Sequence, residues 1–63
     1  MGKISVVIVD DNIRMLNLLE EVLKNDNDVE VIGRAENGLE ALEVIKDKNP
    51  DVVLLDLICL LYT

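Results

Sequence analysis

The chain has 63 residues, of which 13 are Asp or Glu and 6 are Lys or Arg, giving a formal charge of −7. That length allows a single small domain; one cysteine and no histidine exclude an internal disulfide and a Cys/His zinc set. Hydrophobic residues at 51% argue against disorder, aromatics at 2% leave an aliphatic core, and the acidity makes phosphate backbones and anionic membranes poor partners.

Five elements are expected in order. Ile4 to Val9 is an apolar run broken only by Ser5, short and β-branched, as suits a strand buried on both faces. From Ile13 to Lys24 the apolar positions Met15, Leu16, Leu19, Val22 and Leu23 have helical spacing, with Arg14, Asn17, Glu20, Glu21 and Lys24 on the wet side. Asn12 or Asp11 is the expected N-cap, and Asn25-Asp26-Asn27-Asp28 ends the helix. Val29-Glu30-Val31-Ile32 reads as a second strand, placed at a sheet edge by Glu30. Asn37-Gly38-Leu39-Glu40 forms a capping box, and Leu39, Ala41, Leu42 and Ile45 continue a second helix. Asn49-Pro50 stops it, because the residue before proline is pushed out of the helical region. Val52 to Leu55 is a third buried strand, ending at Asp56. The short apolar start, running into Asp10-Asp11-Asn12, is too brief for a signal peptide or a membrane span. A soluble, cytoplasmic protein is expected.

Strand, helix, strand, helix, strand is the pattern of a parallel α/β sheet with right-handed crossovers. The first and third strands are the most apolar, so they should be neighbours, with the second outside the first. The predicted order is 2-1-3, with the helices on opposite faces and strand one at the topological switch point.

This order brings Asp10 and Asp11, after strand one, to the same edge as Asp56, after strand three; neighbouring strands lie about 4.8 Å apart. Three carboxylates this close repel unless a cation compensates, and oxygen-only ligands point to Mg²⁺ or its relatives. Asp56 is the candidate nucleophile toward phosphorus, and Asp10 and Asp11 are candidate metal ligands, direct or through water. Singly, each acid reads as readily as a helix cap or a strand exit. Together they point to a site. No glycine fingerprint for dinucleotides or phosphate loop is present.

The segments Val6-Val7-Ile8-Val9-Asp10-Asp11-Asn12, Val31-Ile32-Gly33-Arg34-Ala35-Glu36-Asn37-Gly38, Ala41-Leu42 and Pro50-Asp51-Val52-Val53-Leu54-Leu55-Asp56-Leu57 resemble the receiver domain of bacterial two-component response regulators. Residues 1–57 are similar to the N-terminal part of that domain, a truncated flavodoxin-like βαβαβ fold. Within the family, Lys3-Ile4, Glu30-Val31-Ile32-Gly33 and Asp56-Leu57-Ile58 look most like the sporulation master regulator of endospore formers. Receivers of the chemotaxis methylesterase type and of helix-turn-helix transcription factors look similar too. The resemblance implies that Asp56 accepts phosphate from a histidine kinase or a phosphotransferase. It implies Mg²⁺ (or Ca²⁺) held by Asp11 and Asp56, by Asp10 mainly through water, and by the backbone carbonyl of Ile58. It also implies that the segment is not an enzyme in its own right and binds no DNA directly, leaving transcriptional output to another domain.

Two departures stand out. A receiver is about twice this long. Its fourth and fifth strands, with their switch hydroxyl and lysine, have no counterpart, so weak signalling is expected. Arg14 reads as a solvated helix charge rather than a substitute for that lysine. The second departure is the tail, residues 58–63: a Met-Pro codon pair shifted by one nucleotide reads Cys-Leu, so Cys59 to Thr63 are expected to be out-of-frame residues. Without a fourth strand, the free edge of strand three should favour dimerisation or aggregation. The competing readings are an interaction fragment that works unphosphorylated, an inert product, and a phosphohydrolase. The last wants a second acid two residues after its nucleophile, where Ile58 and Asn12 stand instead.

Overall fold

The computed structural model of the protein describes residues 2–55 with their side chains and residues 58–61 as a backbone strand. The elements are β1 (Ile4–Val9), α1 (Ile13–Lys24), β2 (Val29–Ala35), α2 (Gly38–Lys48), β3 (Val52–Leu55) and β4 (Ile58–Leu61). They form one sheet in the order β2-β1-β3-β4. β1 runs parallel to both β2 and β3, which is the expected 2-1-3 arrangement.

The helices cover opposite faces because the chain reverses direction across the sheet after β2, and successive strand residues point alternately to the two faces. Val6 and Ile8 of β1 join Leu16 of α1 in one buried cluster. Val7 and Val9 join Val53, Ala35 and Ala41 of α2 in the other. From Val6 to Val9 β1 is buried from both sides, as that apolar stretch requires.

Local chemistry sets the helix ends. Asn12 caps α1, its Oδ1 accepting from the N–H groups of Arg14 (3.0 Å) and Met15 (3.4 Å). Asn37 caps α2, its Oδ1 accepting from the Glu40 N–H at 2.9 Å. Glu40 returns its carboxylate to the Glu36 N–H (3.1 Å), one residue before the cap. Asn49 ends α2 in the left-handed region (φ 48°), its N–H donating to Ile45 C=O at 2.9 Å. Asn49 is thus out of the right-handed helical region, as expected before Pro50, in a left-handed cap that asparagine tolerates.

Several expectations change. β2 runs three residues beyond Ile32, to Ala35. Val6 pairs with Val31 but Val7 with Gly33, leaving Ile32 as an extra residue. This bulge shifts the alternation, so Val29 and Val31 pack on the α1 side and Ile32 and Ala35 on the α2 side. On α1, Val22 lies in solvent at 59% exposure. On α2, Leu39 (79%) and Leu42 (55%) are exposed, while Ala41, Val44 and Ile45 face the sheet. The apolar stripe is wider than the contact face, and the positions nearest the sheet win the burial.

The largest correction concerns the far side of β3. Its edge, expected bare and prone to dimerise, is occupied by β4, paired antiparallel with Leu55 opposite Ile58 and Val52 opposite Leu61. Only two residues separate the strands, a length that returns the chain antiparallel where a parallel crossover needs a dozen or more. The tail, uncharged through Leu61, thus adds a fourth strand to the sheet.

Candidate functional site

Asp10 follows the last residue of β1 and is 7% exposed. Two backbone bonds position it. Its own N–H donates to Ala35 C=O at 3.1 Å, carrying the β1–β2 ladder one residue past the strand. Its Oδ1 accepts from the Asn12 N–H at 2.9 Å, closing an Asx turn that leads into α1. Asn12 therefore links the two features: its backbone holds Asp10 while its side chain caps the helix.

Asp11 sits between them and is exposed. On the neighbouring strand Leu55 pairs with Val9, so the last described residue of β3 stands level with the end of β1. Asp56, the candidate nucleophile, is the next residue in the chain and lies outside the described residues. Ile58 opens β4 opposite Leu55. The edge that carries Asp10 and Asp11 is thus the edge at which β3 ends. Arg14 is exposed on the first turn of α1, consistent with a solvated charge.

The donor chemistry suits a hard divalent cation. Asp10 Oδ2 has no protein donor among the described residues, and neither Asp10 nor Asp11 pairs with a Lys or Arg there. A buried carboxylate without a counter-charge keeps acceptor capacity and gains from a cation. Two carboxylates do not make a full ligand set, and no cluster of three metal-binding side chains occurs among the described residues.

Two polar arrangements escaped the sequence reading. At the opposite end of the sheet, Asp51 Oδ2 accepts from the Ser5 N–H (3.0 Å) and the Ser5 hydroxyl (3.1 Å). The Asp51 N–H in turn donates to Ser5 Oγ (2.9 Å) and Ser5 C=O (3.0 Å). This clamp aligns β1 with β3 and so brings their far ends level. The signal was present: Ser5 is the lone polar residue in an apolar run, and Asp51 immediately precedes the neighbouring strand. Second, the Arg34 guanidinium bridges from β2 to α1, donating to Glu20 Oε1 (2.7 Å) and Asn17 Oδ1 (3.0 Å). Only the crossover geometry brings those residues together.

No helix among the described residues is long and apolar enough to cross a membrane. The family model of the response regulator receiver domain matches residues 6–58. The protein-glutamate methylesterase/protein-glutamine glutaminase of Methanococcus maripaludis is 45% identical over 56 residues, which is 89% of this chain and 15% of that protein. The chain therefore spans only a small part of the length of this relative.

Proposed function

The chain belongs to the response regulator receiver domain family, and on that premise we propose that it accepts a phosphoryl group on Asp56 from a histidine kinase or a phosphotransferase. The observation that carries this reading is the buried Asp10, with Asp11 beside it, at the edge where β3 leads into Asp56.

In the transfer, a carboxylate oxygen of Asp56 attacks phosphorus. The P–N bond of the donor phosphohistidine breaks, its electron pair returns to the imidazole nitrogen, and an acyl phosphate remains on Asp56. Asp11 and Asp56, Asp10 mainly through water, and the Ile58 carbonyl would hold Mg²⁺ or Ca²⁺, which when bound offsets charge on the phosphoryl group. The Asn12 N–H fixes one oxygen of Asp10 and leaves the other for the cation or its water. The Ala35 carbonyl holds the Asp10 backbone against β2, so the carboxylate is pre-set rather than ordered on binding.

Two outputs are compatible with the segment. Similarity to the protein-glutamate methylesterase/protein-glutamine glutaminase supports a methylesterase output. Lys3-Ile4, Glu30 to Gly33 and Asp56 to Ile58 support a sporulation transcription regulator. In either case the segment works in the cytoplasm as a phosphoacceptor, neither catalysing the output reaction nor contacting DNA. The test is intact mass after incubation with Mg²⁺ and acetyl phosphate, beside an Asp56→Ala control. A Mg²⁺-dependent gain of one phosphoryl group, absent from the control, is the expected result. A folded chain that stays unmodified, or a gain that survives in the control, overturns the reading.

A further inference from the structure

The sheet has two ends, β2 and β4, and they differ in kind. β2 is blunted: Glu30 is exposed along it, Arg34 is tied back to α1, and the bulge at Ile32 breaks its regular ladder. Charges and bulges on an edge strand oppose pairing with another strand. β4 has none of these devices. Its residues, Ile58-Cys59-Leu60-Leu61, include no charge, proline or glycine, and β3 behind it is equally uncharged. Among the described residues no strand pairs with its outer side. Backbone N–H and C=O groups on that side form a template for one more strand.

We propose that β4 is a self-association edge, at which two copies of the chain pair β4 to β4, antiparallel about a two-fold axis. Three features of the molecule select a second copy as the occupant. All 13 acids lie outside β3 and β4, so two chains of charge −7 meet with least repulsion here, whereas a basic partner is drawn elsewhere. An antiparallel pair of identical strands is self-complementary, because the two-fold matches each donor with the symmetry-related acceptor. The pairing also closes: the joined sheet runs 2-1-3-4-4-3-1-2, and both of its new ends are the blunted β2. Association therefore stops at two. Because β4 has only 4 residues, few bonds form, and the dimer exchanges with monomer as concentration changes.

Sedimentation equilibrium over protein concentrations up to about 1 mM tests this. The expected result is a reversible rise from 7.1 kDa toward twice that mass. Leu60→Lys should weaken association at least tenfold while keeping the far-ultraviolet circular dichroism of the wild type, and Glu30→Ala on the opposite edge should leave association unchanged. A short bismaleimide should join two wild-type chains through Cys59, the chain's one thiol. If Leu60→Lys fails to fold, chemically synthesised chains carrying an N-methyl group at Cys59 or at Leu60 replace it. Adjacent N–H groups of a strand point to opposite sides, so one of the two should fold and remain monomeric. A monomer throughout, undiminished association in the folded β4 variants, or masses growing beyond the dimer overturns the proposal.

Discussion

Gly33→Ala is the sharpest test of how α2 sits on the sheet. A Cβ at Gly33 would lie 2.7 Å from Val44 Cγ1, with Val7 Cγ2 at 3.6 Å and Lys48 Cγ at 3.9 Å. Carbon atoms prefer about 3.5–4.0 Å, so the Val44 contact must open by roughly 1 Å. Valine in a helix has essentially one χ1 rotamer, so the side chain cannot swing away cheaply. Either Val44 leaves its rotamer, at about 0.5–1.5 kcal/mol, or α2 lifts from β2 and loosens the cluster around Ala35 and Ala41. Overpacking of this kind costs about 1–3 kcal/mol, and the stiffer unfolded chain returns about 0.4–1 kcal/mol. The net expectation is a loss of about 0.5–2 kcal/mol, several degrees in Tm for a domain this small. Urea unfolding followed by circular dichroism reads it directly. The decisive arm is the double variant: with Val44→Ala already present the clash is gone, so Gly33→Ala should become neutral or slightly stabilising. An equal cost in both backgrounds would refute the argument, because strain against Val44 would then not be the cause.

Two further outcomes follow from the polar contacts at either end of β1. Asp10→Asn keeps an oxygen for the Asn12 N–H but removes a buried charge next to Asp11, so without metal it should stabilise the chain by on the order of 1 kcal/mol. The same change should abolish protection by Mg²⁺, which in the wild type reaches about 2.7 kcal/mol at a hundredfold excess over Kd; undiminished protection would remove Asp10 from the cation site. Asp51→Ala leaves the half-buried Ser5 N–H and hydroxyl without their acceptor and should cost about 1–3 kcal/mol, with faster hydrogen exchange at Ser5. A loss below about 0.5 kcal/mol, with exchange at Ser5 unchanged, would show that the clamp does not hold the β1–β3 register.

Much of the fold was legible because the signals were local and agreed with one another. The apolar run of β1, the helical spacing after Asn12 and the Asn49-Pro50 stop each report backbone preference over a few residues. The parallel order followed from relative hydrophobicity, since the two most apolar strands share the centre: β1 pairs with both β2 and β3. The ends of β1 and β3 could be assigned to one edge for the same reason, which puts Asp10 and Asp11 on the edge where β3 ends. The role of Asn12 was half legible: its cap was expected, and its backbone bond to Asp10 was not.

The sequence by itself determined the type and order of the first five elements, the acidic pair that follows β1, and the net charge of −7. Tertiary structure alone decided which apolar side chains of the two helices are buried. Periodicity marks a stripe on a helix but does not say how much of that stripe the sheet can reach, so Ala41 is covered and Leu39 is not. It also decided the bulge at Ile32, the Ser5–Asp51 clamp and the pairing of β4 with β3. Each of these joins residues through register across strands. Register depends on the backbone bonds and packing of two segments at once, so neither segment encodes it alone.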